Sequence, residues 1–200
     1  MSPPKKSSPY HHGDLRSELL SAAVDIIRER GGQGLSLREC ARRAGVSHAA
    51  PYRHFASKDA LLVALACQGF RWLTDAGEAA MKTLSDPCEQ LDAYGVAYVQ
   101  FAIKHPEHHR LMFASELDKS AASEEDLAAS GAAFELLHAT AAKIDGTSEE
   151  ESLGAAFAFW SLVHGLSMLI LDGRVPPDLI RTPEQVEALT RTSFAHWRKN

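Results

Sequence analysis

The chain has 200 residues, of which 45% are hydrophobic and 24% charged, a composition typical of a soluble globular protein with one large or two small domains. Its net charge of −5 is uneven, because residues 1–60 carry ten lysine and arginine residues against six acidic ones, whereas residues 61–200 carry eleven against twenty. A basic N-terminal part joined to an acidic body is typical of a DNA-binding part attached to a separate domain.

The chain begins with a segment that predicts no packed structure. Residues 1–12 are polar and rich in proline and serine, with lysines at 5 and 6, so we expect a disordered arm rather than a secretory signal. Such an arm has two interpretations, a tail without a role or a segment that reaches the minor groove of DNA. The first helix is predicted after it by the spacing of Leu15, Leu19, Ala22, Ala23, Ile26 and Ile27, and Gly31-Gly32 ends that helix.

Residues 35–65 predict a helix-turn-helix. Ser36 and Glu39 have the spacing of a capping box, so a helix should begin at Leu37. Gly45 suits the left-handed position where this helix ends. Ser47 and Ser57 are good caps for a second short helix and for the helix after it. Three helix starts and one glycine stop within 31 residues favour the motif that presents one helix to DNA.

The second helix of this motif has side chains suited to a phosphate backbone. Hydroxyl groups, cationic groups and the amides of a helix N-terminus hold phosphates. The alternative is an ordinary solvated helix surface with a few basic residues. We expect Tyr52, His54 and Lys58 to contact phosphates and Ser47, His48 and Ala49 to lie nearest the bases. The full set of predicted DNA-binding residues is Ser36, Ser47, His48, Ala49, Tyr52, Arg53, His54 and Lys58.

The stretch GVSHAAPYRHFASKDALL resembles the signature of the tetracycline-repressor (TetR) family of bacterial regulators. Members usually show Gly-Val-Ser, then Tyr-x-His-Phe, then Ser-Lys-Glu-x-Leu at this spacing. Two residues depart from the pattern: Asp59 replaces the commoner glutamate, and Pro51 removes a backbone donor and can shorten the second helix. The resemblance covers roughly residues 10 to 80, beginning with Tyr10-His11-His12-Gly13-Asp14-Leu15-Arg16. Trp160 to Gly165 is similar to a Trp-x-x-x-His-Gly motif of one large subgroup.

The rest of the chain predicts further helices and no strand. Leu61 to Leu73 indicates a longer helix that links the DNA-binding part to the body, and helices follow from Asp86, through Leu111, from Ser123, from Ser148 and from Pro183. We therefore expect an all-α protein of about nine helices. It should comprise an arm at residues 1–12, a three-helix helix-turn-helix domain at 13–56, and a helical ligand-binding and dimerisation domain at 57–200.

Two features bear on the compartment. The 18 residues from Gly154 to Leu171 carry no formal charge and are just long enough to span a membrane. They include two serines and a histidine, however, so we interpret them as the core of a helical bundle and expect no membrane. The chain has three cysteines, Cys40, Cys67 and Cys88, an odd number with no two close in sequence, which indicates the cytoplasm. We expect Cys40 and Cys67 to be core residues.

One cluster has the residue types of a metal site. His105 and His109 are four residues apart, with Glu107, His108 and Glu116 nearby, so a metal sensor or an enzyme is an alternative. Pro106 separates the two histidines, however, and the segment resembles a His-Pro-Glu-His stretch of the TetR subgroup that implies no metal. Because no hydrolase or transferase motif is present either, we predict no catalytic residues, no metal and no cofactor.

Aromatic residues of the second domain have two interpretations. They are either ordinary bundle core or the walls of a cavity between helices that binds a small molecule. The predicted pocket residues are Tyr94, Tyr98, Phe113, Phe157, Trp160 and His164. Because no arginine or lysine lies between Leu153 and Asp172, we expect an apolar or weakly polar, flat compound rather than a phosphorylated one.

The sequence thus predicts a cytoplasmic, dimeric DNA-binding transcriptional regulator, a repressor released by a small effector. The partners are an operator in double-stranded DNA, that effector and a second copy of the chain. The two apolar helices over Leu153–Leu171 and Pro183–Trp197 should form the dimer interface. A second alternative is an architectural DNA-binding protein without ligand, which should have a filled C-terminal core.

Overall fold

The chain folds into α-helices. The computed structural model describes residues 15–115, 117, 120, 122–144 and 146–197, apart from the side chain of Trp197, so the expected arm at residues 1–12 lies outside the described part. Over these residues the structure has α-helices and short 3-10 turns and no strand, which confirms the all-α prediction. The helices are α1 Leu15–Arg30, α2 Leu37–Arg43, α3 Lys58–Met81, α4 Pro87–Lys104, α5 Pro106–Met112, α6 Glu124–Ala141, α7 Glu149–Leu171 and α8 Pro183–Trp197.

The helices form two compact units, Met1–Leu62 and Val63–Asn200, and α3 begins in the first and continues in the second. In the first unit α1 packs against α2, and α2 packs against a 3-10 turn at Pro51–Arg53. Leu19, Cys40 and Phe55 are buried in this unit. Burial raises the pKa of the Cys40 thiol to about 11, so Cys40 is the small core residue that the sequence predicts.

Helix α2 begins and ends where its capping residues predict. The Ser36 hydroxyl accepts a hydrogen bond from the amide of Glu39 at 3.1 Å. Gly45 has φ of 70°, and the amides of Gly45 and Val46 donate to the carbonyls of Arg42 and Ala41 at 3.3 and 3.0 Å. These two bonds make a Schellman motif, which satisfies the last carbonyls of the helix.

The predicted capping box at Ser36 is wrong in one detail. The Glu39 carboxylate accepts two hydrogen bonds from the Arg42 guanidinium, at 2.8 and 2.7 Å, instead of turning back to the amide of Ser36. A bidentate, charge-assisted pair is stronger than a bond to a neutral amide, so the arginine one turn away wins the carboxylate.

The predicted second α-helix of the helix-turn-helix is also wrong in its form. Residues 48–50 form a turn, and the 3-10 turn Pro51–Arg53 follows. Amides here reach three residues back, from Ala50 to Ser47 at 3.0 Å and from His54 to Pro51 at 2.9 Å. Pro51 lacks an amide hydrogen and therefore cannot make the backbone bond that an α-helix needs there. The described residues accordingly hold eight α-helices where the sequence suggested about nine.

The second unit is a helical bundle around α4. Helix α4 packs against α6, α7 and α8, and Tyr98, Val99, Leu137, Val163 and Phe194 are fully buried in its core. Gly77 of α3 allows a close approach of helices, because a Cβ atom there would lie 2.5 Å from the ring of Tyr94. This contact fixes the Tyr94 ring at the centre of the bundle.

Helix α7 combines a buried face with an apolar exposed face. By length and mean hydropathy it is the one described helix that could cross a membrane. It packs against α4 and α6, and Ala156, Phe159 and Val163 are buried there. On the other face Phe157 and Leu169 are 49% and 51% exposed. The exposed side of α7 is therefore partly apolar.

Candidate functional sites

The first candidate site is a short exposed segment at residues 47–54, which we call the reading turn. It is anchored by the buried side chains of Pro51 and Phe55. The Arg16 guanidinium lies over the Phe55 ring at 5.4 Å, which holds the end of the turn against α1. The structure brings together and exposes six of the residues predicted to bind DNA, namely Ser47, His48, Ala49, Tyr52, Arg53 and His54.

The other two predicted DNA-binding residues have structural bonds of their own. Ser36 is exposed, and its hydroxyl caps α2. The Lys58 ammonium lies at the first turn of α3 and donates a hydrogen bond to the carbonyl of Gly32 at 2.7 Å. An ammonium group has three N–H donors, so two remain for another acceptor such as a phosphate.

Ion pairs neutralise many cations of the first unit. Arg43 donates to Glu29 at 2.9 Å, while Arg42 and Arg30 lie 2.7 and 3.5 Å from Glu39. The hydrogen bond from Arg42 lowers the pKa of Glu39 to about 2, so this carboxylate stays ionised. The positive charge of α2 is therefore largely compensated within the unit itself.

Besides Arg16, which lies over the Phe55 ring, two arginines of the first unit have no compensating carboxylate among the described residues. Arg38 on α2 and Arg53 in the reading turn are exposed and have no carboxylate partner within the part of the chain that the structure describes. The sequence reasoning passed over Arg38, although it lies two residues after the predicted helix cap. An unpaired cation on α2 is a feature that the spacing of caps alone does not reveal.

The second candidate site is a cavity of about 410 Å³ in the second unit. This volume lies within the range of small-molecule pockets. Its walls come from α3, α4, α6, the end of α5 and the segment after it, with Trp160 from α7. Four of the six predicted pocket residues line it: Tyr94, Tyr98, Phe113 and Trp160.

The remaining two predicted pocket residues lie elsewhere. Phe157 is half exposed on the outer face of α7 and is not part of the cavity wall. His164 lies behind the wall, where its Nδ1 atom is 3.0 Å from the Tyr98 hydroxyl. Residues 157, 160 and 164 share one stripe of α7, and the rings of Phe157 and His164 lie 6.2 and 6.3 Å from the Trp160 ring, so of these three only Trp160 reaches the described wall.

The polar groups of the wall are few and mostly engaged. The Tyr94 hydroxyl donates to the carbonyl of Ala133 at 2.9 Å. Burial raises the pKa of both Tyr94 and Tyr98, so both tyrosines stay protonated at neutral pH. A hydrogen bond from Trp160 lowers the pKa of Tyr98, but burial has the larger effect. Asp126 is the one acidic residue among the described wall residues, and no lysine or arginine is among them. Among these described wall residues an anionic ligand would meet a carboxylate and no cation.

Sequence reasoning missed several wall residues. They include Val63, Ala66, Cys67 and Phe70 on α3 and Asp126, Ser130, Ala133 and Leu137 on α6. These positions recur every three or four residues, which marks one face of each helix. That spacing is a usable signal, but it does not distinguish a cavity wall from a packed core.

His105, just before α5, and His108 within it contact neighbouring side chains. The His105 ring packs on the Trp72 ring with centroids 4.9 Å apart, and His108 Nε2 lies 3.1 Å from the Gln68 amide oxygen. Glu116, which the metal-sensor alternative requires, lies outside the described residues. Among those described, histidine, cysteine, aspartate and glutamate residues do not gather in groups of three that could hold a metal.

Both units match known families. Residues 19–65 match the family model of bacterial regulatory proteins, tetR family, and residues 91–193 match the tetracyclin repressor-like C-terminal domain. A structure of a Rhodococcus protein of unknown function is 33% identical and aligns over 95% of this chain and 98% of its own, with a TM-score of 0.74. The TetR family regulator PfmR from Thermus thermophilus, 22% identical over 88% of this chain and 91% of its own, shares the fold with a TM-score of 0.65.

Named relatives match over shorter stretches. The transcriptional activator FasR of Mycolicibacterium smegmatis is 32% identical over 103 residues, which are 52% of this chain and 47% of that protein. The transcriptional regulator BetI of Rhizobium meliloti is 37% identical over 78 residues, 39% of this chain and 38% of that protein. The chain thus spans less than half the length of these relatives.

Proposed function

This chain belongs to the TetR family of bacterial regulators, and we propose that it is a cytoplasmic, homodimeric repressor that a small molecule releases from its operator. Within the family we assign it to the subgroup with a Trp-x-x-x-His-Gly motif, since Trp160 and His164 both lie at Tyr98. The proposal includes no catalytic step and no membrane association. It takes residues 13–56 as the DNA-binding domain and 57–200 as the effector and dimerisation domain.

The DNA-binding part rests on the exposed reading turn. Its residues present a hydroxyl, two imidazoles, a phenol and a guanidinium on one segment of eight residues, with Arg38 and Lys58 nearby. Tyr52, His54 and Lys58 bind phosphates, whereas Ser47, His48 and Ala49 face the bases. Because the turn is short, base contacts come from these few residues alone, and each of them weighs heavily in sequence preference.

The effector part rests on the cavity, which is the single observation that best supports ligand control. A filled core would favour the architectural protein without ligand, whereas 410 Å³ of space among aromatic side chains favours a binding site. The described wall residues favour a flat, uncharged, mostly apolar compound, because they offer an anion one carboxylate and no cation.

The dimer rests on the outer face of α7. Leu153, Phe157 and Leu169 are 40%, 49% and 51% exposed and are spread over the broad exposed side of α7, and the small residues Gly154 and Gly165 between them have open space at their Cβ positions. Two such faces are self-complementary, which suits a two-fold interface of the isologous kind. With α8 they form a four-helix interface that buries on the order of 2,000 Å² in total.

The mechanism is a shift between two states of the dimer. DNA favours the spacing of the two reading turns that fits successive major grooves, and the effector favours another. Helix α3 carries residues of both units, including Lys58 at its start and the wall residues Val63 to Phe70, so it is the covalent route for the change.

Selection from a library of random-sequence duplexes tests the DNA-binding function. The wild-type protein should enrich a two-fold-symmetric sequence whose half-sites lie about one helical turn apart. The His48→Ala variant should enrich a different half-site, because His48 faces the bases. Recovery of no sequence preference by the wild-type dimer would contradict the proposal.

A further inference from the structure

His109 is the one polar side chain of the described bundle with buried ring nitrogens that have no hydrogen-bond partner. The residue is 0% exposed, and neither Nδ1 nor Nε2 has a partner. Its ring stacks on His164 at a centroid distance of 5.3 Å and meets the Tyr98 ring edge-on at 5.7 Å. A neutral imidazole carries one N–H donor and one acceptor, so His109 has two unmet bonds.

An unmet buried polar group is costly and indicates a partner. Buried polar groups in folded proteins almost always find a hydrogen bond, and exceptions often mark functional sites. Burial lowers the pKa of His109 to about 4, with His164 and Arg110 adding to the effect, so the imidazole is neutral near pH 7. The burial of His109 is therefore not the burial of a charged group. A hydrophobic residue at this position would pack without the free-energy cost of two unmet hydrogen bonds.

Aromatic wall residues lie between His109 and the cavity: the Tyr98 ring, which meets His109 edge-on, and the Phe113 ring. Phe113 lines the cavity, and its ring lies 5.2 Å from the His109 ring and 4.6 Å from the His164 ring. On the cavity side the same ring contacts Phe70 at 5.7 Å and Trp160 at 5.9 Å. Phe113 is the C-cap residue of α5, so its side chain follows the end of a helix rather than the middle of one. A turn of this ring joins the two histidines to the cavity.

We infer that His109 and His164 form a concealed polar subsite of the effector cavity, closed by Phe113, that binds a hydroxyl group on a flat, uncharged ligand. The inference rests on the proposed effector function. A hydroxyl group can bond to either ring nitrogen of a neutral imidazole, by accepting from the N–H or by donating to the other nitrogen, so it meets one of the two unmet bonds of His109 whichever tautomer is present. His164 contributes the second ring, with its Nδ1 already bonded to Tyr98, so the hydroxyl bonds to His109.

A matched pair of probes tests the subsite. 2-Naphthol and 2-methylnaphthalene have nearly the same size and shape, and they differ in the hydroxyl group. Calorimetric titration of the full-length protein gives the ratio of their affinities. In His109→Phe the ratio of 2-naphthol affinity to 2-methylnaphthalene affinity should fall by about tenfold, since one hydrogen bond to the hydroxyl group is lost. In Phe113→Ala it should rise, because no ring has to move.

A control and a second readout keep the test independent of folding. His108→Phe alters the neighbouring histidine, whose Nε2 bonds to Gln68, and should leave the ratio unchanged. In wild-type protein with ¹⁵N-labelled histidine, 2-naphthol should shift the ring resonances of His109, whereas 2-methylnaphthalene should not. An unchanged ratio in His109→Phe, or unmoved His109 resonances when 2-naphthol is bound, would overturn the subsite. Failure of both probes to bind wild-type protein would instead contradict the effector cavity itself.

Discussion

Replacing Lys58 with alanine separates a phosphate contact from a structural bond. In the structure the Lys58 ammonium donates to the carbonyl of Gly32 at 2.7 Å, which leaves two donors for DNA. Loss of the bond should lower the free energy of unfolding by about 1 kcal/mol. Loss of the charge should weaken binding to every DNA sequence alike, because phosphate contacts carry no sequence information.

The expected size of the charge effect follows from counterion release. Each phosphate contact contributes about 0.9 to the slope of log affinity against log salt concentration, and a dimer has two copies of Lys58, so the slope should fall by about 2. Between about 50 and 200 mM salt, the ratio of wild-type to variant affinity should therefore shrink by about tenfold.

Fluorescence anisotropy of a labelled duplex across this salt range measures both slopes. Lys82→Ala is the matched control, because it removes the same charge from an exposed position in the second unit. The control should keep the wild-type slope. A Lys58→Ala protein that is folded, as judged by circular dichroism, and has the wild-type slope would refute the assignment of Lys58 to a phosphate.

Three further predictions follow from single positions. Gly45→Ala should lower the free energy of unfolding by about 1–2 kcal/mol in thermal melts, because φ is 70° there, whereas Gly131→Ala within α6 should not lower it. His109 has a folded pKa of about 4 against about 6.5 when unfolded, so the unfolded chain gains the proton first as the pH falls. Stability should drop by about 2 kcal/mol between pH 7 and pH 5, and urea melts of His109→Phe should lack this contribution; equal pH slopes would contradict it. Leu169→Lys should give a monomer in light scattering at micromolar concentration, whereas Leu179→Lys should stay dimeric, and a dimeric Leu169→Lys would argue against the α7 interface.

The sequence predicts the helices well because their signals are local. Ser36, Gly45 and Ser57 define helix ends through bonds to residues three to five positions away, and the structure has each of these bonds or conformations. The reading turn differs from its prediction because Ser47 suggests a cap while Pro51 removes the donor that an α-helix requires. Local signals conflict there, and the proline decides the backbone geometry.

The cavity was harder to predict, since it depends on which side chains leave space between helices. Spacing places Tyr98, Trp160 and His164 on inward faces, but it does not reveal that Phe113 separates His164 from the cavity. Nor does the spacing reveal that the ring nitrogens of His109 lack hydrogen-bond partners. The sequence around His109 and Pro106 predicts only a turn between helices or a metal ligand. Burial and hydrogen-bond partners are properties of the packed bundle and not of any one segment.

The central claim is that filling the cavity weakens DNA binding. A panel of flat, uncharged aromatic compounds can be screened for quenching of tryptophan fluorescence. Compounds that quench the wild-type protein but not Trp160→Phe enter the cavity. The affinity of the wild-type dimer for its selected duplex should then fall for at least some of these compounds. DNA should weaken the binding of each such compound by the same factor, as linkage requires. Compounds that all bind in the cavity while the DNA affinity stays unchanged would contradict the account.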